Sequence, residues 1–157
     1  MAVFTPSYPL TLPTAIGITT QNWGLNRVVA VTESPFTLQQ QIFEHEGSQW
    51  RCTMTLPPMK KDKAAIWLAF FMSLRGRRGT FKMGDQDRKT IQGTATGTVR
   101  VNGASQTGNQ VALDGFTASR ANVFKAGDYI QINSYVYMVI EDVSANGSGE
   151  ANVKIEP

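Results

Sequence analysis

Trp50-Arg51-Cys52-Thr53-Met54-Thr55-Leu56-Pro57-Pro58 runs into Met59-Lys60-Lys61-Asp62-Lys63-Ala64-Ala65-Ile66-Trp67-Leu68-Ala69-Phe70-Phe71-Met72-Ser73-Leu74, and the hydrophobic period changes between the two halves. In the first half Trp50, Cys52, Met54 and Leu56 alternate with Arg51, Thr53 and Thr55, the period of a strand with one covered face. Pro57 and Pro58 supply no backbone donors and end the ladder. Asp62 then offers a carboxylate that caps free amide groups and complements the positive end of a helix. No breaker follows before Leu74. Ala65, Ile66, Trp67, Ala69, Phe70, Phe71 and Leu74 cover more than one stripe, so the expectation for residues 62–75 is a deeply buried helix on a concave sheet. Trp67, Phe70 and Phe71, with Trp50 of the strand, are the expected structural core. Gly76 suits the left-handed position after the helix.

Upstream, strands are expected at 27–31, 36–43 and 50–56, with Glu46-Gly47-Ser48 turning between the last two. Residues 1–23 contain Pro6, Pro9 and Pro13 and read as an extended arm along a surface or sheet edge, suited to docking on a neighbour. Downstream of Gly93 the texture becomes short strands, at 97–101, 110–113, 129–132, 135–140 and 151–155. They are separated by Asn102-Gly103, Gly108-Asn109, Asn133-Ser134 and Asn146-Gly147-Ser148-Gly149, residues that tolerate positive φ. The expected fold is mainly β with one α-helix. Residues 1–93 form a β-sandwich packed on the helix, with the extended arm, and residues 94–157 a small β module, barrel-like or sandwich-like.

Composition agrees with a globular β protein, at 157 residues, 41% hydrophobic and 17% charged. The apolar run 64–72 is far below the roughly 20 residues a membrane span needs, and the N-terminus lacks a signal-peptide pattern. The single cysteine, Cys52, cannot close an internal disulfide, and with the single histidine, His45, it cannot complete a zinc site. That cysteine usage fits a reducing cytoplasm. Cys52 reads as a buried structural thiol and His45 as a solvated hairpin tip.

Charge is asymmetric. Residues 60–89 hold nine basic and three acidic side chains, net +6, while the rest of the chain is −3. Such a band attracts nucleic acid or docks copies head to tail. Arg75, Arg77, Arg78, Lys82, Arg88 and Lys89 are the candidate subunit-contact residues, although Arg75, Arg77 and Arg78 also complement the negative end of the helix. Asp85-Gln86-Asp87 lacks the rest of a calcium loop, and Gly76-Arg77-Arg78-Gly79 lacks the Lys-Ser/Thr ending of a phosphate loop. No helix pattern follows Gly103 to make a dinucleotide fingerprint. A lone histidine between Glu44 and Glu46 makes a poor general base. The sequence therefore predicts neither enzyme activity, nor a metal, nor a cofactor.

Several segments resemble tail proteins encoded in bacteriophage and prophage structural operons, of the distal-tail and hub kind. They are Trp50-Arg51-Cys52-Thr53, the apolar helix, Leu74-Arg75-Gly76-Arg77-Arg78-Gly79-Thr80-Phe81 with Gly84-Asp85, Val101-Asn102-Gly103-Ala104-Ser105-Gln106-Thr107-Gly108, Lys125-Ala126-Gly127-Asp128-Tyr129-Ile130-Gln131-Ile132 and Val143-Ser144-Ala145-Asn146-Gly147-Ser148-Gly149. The resemblance runs from about Trp23 onward and implies a tail-tube-like β-sandwich flanked by a helix, with a small inserted β domain. It implies rings of identical subunits, commonly sixfold, that join tail tube to tip or baseplate. Partners would be the tail tube, hub or tip and tape-measure proteins, with transient contact to DNA in a channel and no membrane anchor. The location would be the virion tail, assembled in the host cytoplasm. Members of that group return to the first domain after the strand at 151–155, so the resemblance implies a shorter relative or a return strand supplied from elsewhere. A head-to-tail connector, either stopper or tail terminator, shares the same ring logic. A module binding host-surface glycans, with Trp23, Tyr135 and Tyr137 as stacking faces, is the alternative of a different class.

Overall fold

A computed structural model describes residues 5–14 and 16–157. The chain forms two compact units, one made of residues up to Gly24 with Arg51–Gln86, the other of Leu25–Trp50 with Asp87–Pro157. The segment Leu25–Trp50 thus groups with the C-terminal residues, whereas the sequence reading places it within 1–93.

Two long strands, β1 (Thr20–Glu33) and β2 (Gln40–Thr55), pair as a two-stranded sheet. Their connection is set by Ser34 and Pro35. The Ser34 N–H donates to the Gln39 carbonyl at 3.0 Å and the Leu38 N–H to the Ser34 carbonyl at 2.9 Å, with Leu38 at φ 55°. The expected three strands are therefore two, because the turn lies at 34–39 and not at Glu46-Gly47-Ser48. Gly47 lacks the left-handed φ that a turn glycine supplies, and lies inside β2 against Val28. His45, expected at a tip, is an exposed position within the same strand.

In the first unit, α1 spans Lys61–Leu74. Lys60 occupies the N-cap with no side-chain cap, and Asp62 sits in the first turn. Asp62 complements the helix dipole there but does not cap, correcting that part of the expectation. At the other end Arg75, not Gly76, takes the first left-handed position, at φ 50°, and its N–H returns to the Met72 carbonyl at 3.1 Å. A 3₁₀ turn follows over Gly76–Arg78, closed by the Gly79 N–H on the Leu74 carbonyl at 2.8 Å. A Cβ on Gly79 would stand 2.5 Å from that carbonyl oxygen, so the tight exit requires glycine.

Trp67, Phe70 and Leu74 form the buried face of α1 and pack on Leu10, Leu12, Ile18, Leu56, Met59 and Phe81. At about 1.5–3 kcal/mol for each large apolar side chain buried, this cluster is the main stabilisation of the unit. The cover is not a concave sheet but the irregular N-terminal segment, Leu56 and Met59 just after β2, and Phe81. Leu10 makes a single parallel bridge with Phe81, and the Tyr8 hydroxyl donates to the Ser73 carbonyl at 2.9 Å. The proline-rich segment, where it is described, thus lies on its own helix. Residues 1–4 and 15 of the expected arm fall outside the described residues.

The second unit contains a five-stranded antiparallel sheet in the order β3-β4-β7-β6-β5. Its strands are β3 (Arg100–Val101), β4 (Gln110–Asp114), β5 (Tyr129–Ile132), β6 (Tyr135–Val139) and β7 (Ala151–Glu156). Strict alternation sets the inner face of β7, with Ala151, Val153 and Ile155 buried between exposed Asn152 and Lys154. Val111, Leu113, Phe116, Val123, Phe124, Val139, Val143 and Ala145 complete that core. Asn133 at φ 55° makes the β5–β6 turn. Each downstream strand lies where the sequence places one. Among the described residues the protein is mainly β with a single α-helix.

Candidate interaction surfaces

The hairpin alternates faces along each strand, so Val29 and Val31 point one way and Val28 the other, as do Ile42 and Phe43 on β2. All five are exposed. The turn adds Phe36 at 94% exposure and Leu38 at 70%. A two-stranded sheet has two free edges and no inherent layer beneath it, so apolar side chains on both faces stay uncovered. Monomeric proteins seldom leave a contiguous patch of this kind exposed.

At 44–48 of the hairpin a cleft of about 340 Å³ is lined by Arg27, Glu44, His45, Glu46 and Glu156 among others. Arg27 binds Glu44 at 3.1 Å and also pairs with Glu156, and with Glu46 on the lining three carboxylates face one guanidinium, so the cleft is acidic. His45 packs edge-on against Phe43, with ring centroids 4.9 Å apart.

A second apolar face belongs to α1. Its three buried positions leave Ile66, Leu68, Phe71 and Met72 uncovered, Leu68 at 61% and Met72 at 78% exposure. Phe71, expected in the core, is 42% exposed although it stacks near Trp67 at 5.8 Å. A helix apolar nearly all round needs cover on two sides, and the fold supplies it on one. Trp50, the other expected core residue, is half-buried in the second unit. Its indole lies edge-on to Tyr129 at 5.8 Å.

The six candidate basic residues divide between the units. Arg75, Arg77 and Arg78 share the turn after α1, and Lys82 follows within the same unit; all four are exposed. Arg77, Arg78 and Lys82 make no ion pair among the described residues. Arg88 and Lys89 belong to the second unit, where Arg88 donates to the Gly127 carbonyl at 3.0 Å and lies over the Tyr129 ring at 5.7 Å. Arg88 is therefore engaged in holding its own fold. The apolar hairpin tip was missed as a site because 27–31 and 36–43 read equally well as core strands.

The three aromatics of the glycan alternative fare differently. Tyr135 is exposed, Tyr137 packs on the β core, and Trp23 is half-buried with its indole N–H unpartnered. Among the described residues no three His, Cys, Asp or Glu side chains gather as a metal site, and no helix is long and apolar enough to cross a membrane. No protein-family model matches the chain, and no curated protein matches it in sequence.

Proposed function

We propose that this protein is a virion structural protein, a ring-forming subunit of a bacteriophage tail in the distal or hub region, where tube meets tip. The observation that carries the reading is the β1–β2 hairpin, whose tip keeps Phe36, Leu38, Ile42 and Phe43 exposed. A surface of that kind acquires a use when another subunit covers it. The resemblance of the helix–turn segment 64–85 and of the β module to tail proteins supplies the assembly.

In this reading the hairpin takes its place in a tail-tube-like β-sandwich completed within the ring, and the five-stranded sheet is the small barrel-like module attached to it. Arg75, Arg77, Arg78 and Lys82 serve mainly as subunit contacts and secondarily face DNA in the channel. Neighbours are tail tube, hub or tip and tape-measure proteins, met during assembly in the host cytoplasm. A connector ring uses the same surfaces, and position along the particle separates the two. Gold-labelled antibody against this chain on purified particles should decorate the distal end of the tail. Decoration at the head–tail joint would assign a connector, and particles free of the chain would reject both.

A further inference from the structure

We infer that the apolar hairpin of one copy docks on the exposed α1 face of a second copy, head to tail. The inference rests on the ring-subunit reading above and names the two surfaces that would close the ring.

The two faces are alike in extent. Val29 to Val31 spans about 7 Å of strand at ~3.3 Å per residue. Leu68 to Met72 spans about 6 Å of helix at ~1.5 Å per residue. One face presents Val29 and Val31 with one of the adjacent pair Ile42 and Phe43, the other Leu68, Phe71 and Met72.

Charge decides the pairing. The unit that carries α1 holds eight basic and two acidic residues, net +6, and the unit that carries the hairpin tip is −3. The same signs appear beside the faces themselves. Lys60, Lys61 and Lys63 flank the start of α1, while residues 25–50 hold Glu33, Glu44 and Glu46 against Arg27 alone. Hairpin on hairpin would set glutamates against glutamates, and helix on helix would set lysines against lysines. Like charges oppose both symmetric pairings, and opposite charges favour hairpin on helix. A contact between two different patches of the same chain is heterologous, the kind that closes rings when the rotation permits.

Phe43→Glu spoils only the hairpin face and Leu68→Glu only the helix face. Both positions are exposed, so each variant should retain the parent's circular dichroism and melting temperature. In sedimentation velocity at low salt the parent should self-associate, with association weakening as salt rises. Each variant alone should lose at least tenfold in association. An equimolar mixture should recover a 1:1 dimer, since Leu68→Glu still offers a hairpin and Phe43→Glu still offers a helix. A parent that stays monomeric at its highest soluble concentration overturns the pairing. So does Phe43→Glu associating as well as the parent, or a mixture no larger than its components. If the mixed dimer forms but purified tails lack the chain, the pairing stands and the tail reading falls. If tails contain the chain and the mixed dimer fails, the tail reading stands and the pairing falls.

Discussion

The indole N–H of Trp50 donates to the carbonyl oxygen of Val136 at 2.9 Å, joining β2 to β6 across 86 positions of sequence. The Trp50 ring also meets Tyr129 on β5, so one side chain anchors this part of the hairpin to the β5–β6 pair. Trp50→Phe keeps an aromatic ring, though a smaller one, and removes the donor, and should cost about 1 kcal/mol or somewhat more in urea unfolding. Trp50→Ala, which also empties the aromatic contact, should cost clearly more. Equal stabilities for parent and both variants would detach Trp50 from any anchoring role.

Asp128 is the buried acid of the second unit, 3% exposed. Its carboxylate accepts the backbone N–H groups of Gln92 at 2.7 Å, Gly93 at 3.1 Å and Lys125 at 2.9 Å. Thr94 and Ala95 then donate to the carbonyls of Asn122 and Val123. The segment around Gly93, where the sequence places a domain boundary, is therefore stitched down. Protease should spare 92–96 in the parent and cut there in Asp128→Ala, with a stability loss of roughly 3 kcal/mol for the charge-assisted bonds. Rapid cutting at 92–96 in the parent would contradict the stitched geometry.

How far the sequence could be read depended on the kind of signal. The β module was legible because Gly149, Asn133 and their neighbours fix turns chemically and the strands between them alternate. Helix α1 was legible through its apolar run, but its depth of burial was not. Apolar pattern does not distinguish a face covered within the chain from one such as Leu68 and Met72 that is left open. The hairpin turn was missed because Gly47 looked like the natural break, whereas Ser34 and Pro35 made it. The basic cluster was visible as charge, yet only the structure parts engaged Arg88 from Arg77 and Arg78.

Cys52 is half-buried, and its thiol pKa is pushed up first by that burial and second by the negative charge of Asp85. The native thiolate is accordingly scarce at neutral pH. Alkylation of native protein should rise at higher pH than alkylation of unfolded protein, and Asp85→Asn should move the native profile part of the way back. Because the folded state holds this proton more tightly, its contribution to stability is present below the ordinary thiol range. It is lost as pH rises through the raised value. Relative to Cys52→Ser, the parent should lose stability on the alkaline side alone. Identical native and unfolded profiles would contradict the burial of this thiol.

Arg77 and Arg78 lie exposed on the turn after α1, and surface charges of this kind contribute only about 0–1 kcal/mol each. Reversing both to Glu should leave melting nearly unchanged and lower incorporation into tails. Normal assembly with salt-dependent failure of genome ejection would place them on the channel instead. Normal assembly and normal ejection together would reduce them to complements of the helix terminus.

The central claim is that copies of this chain close a ring in a phage tail, and an electron cryomicroscopy map of the purified tail tests it most directly. The account predicts a ring of identical subunits at the distal end, with Phe43 and Val31 of each copy buried against Leu68 and Met72 of the next. A tail whose map contains no ring of this chain, or a ring in which the hairpin tips remain in solvent, would contradict it.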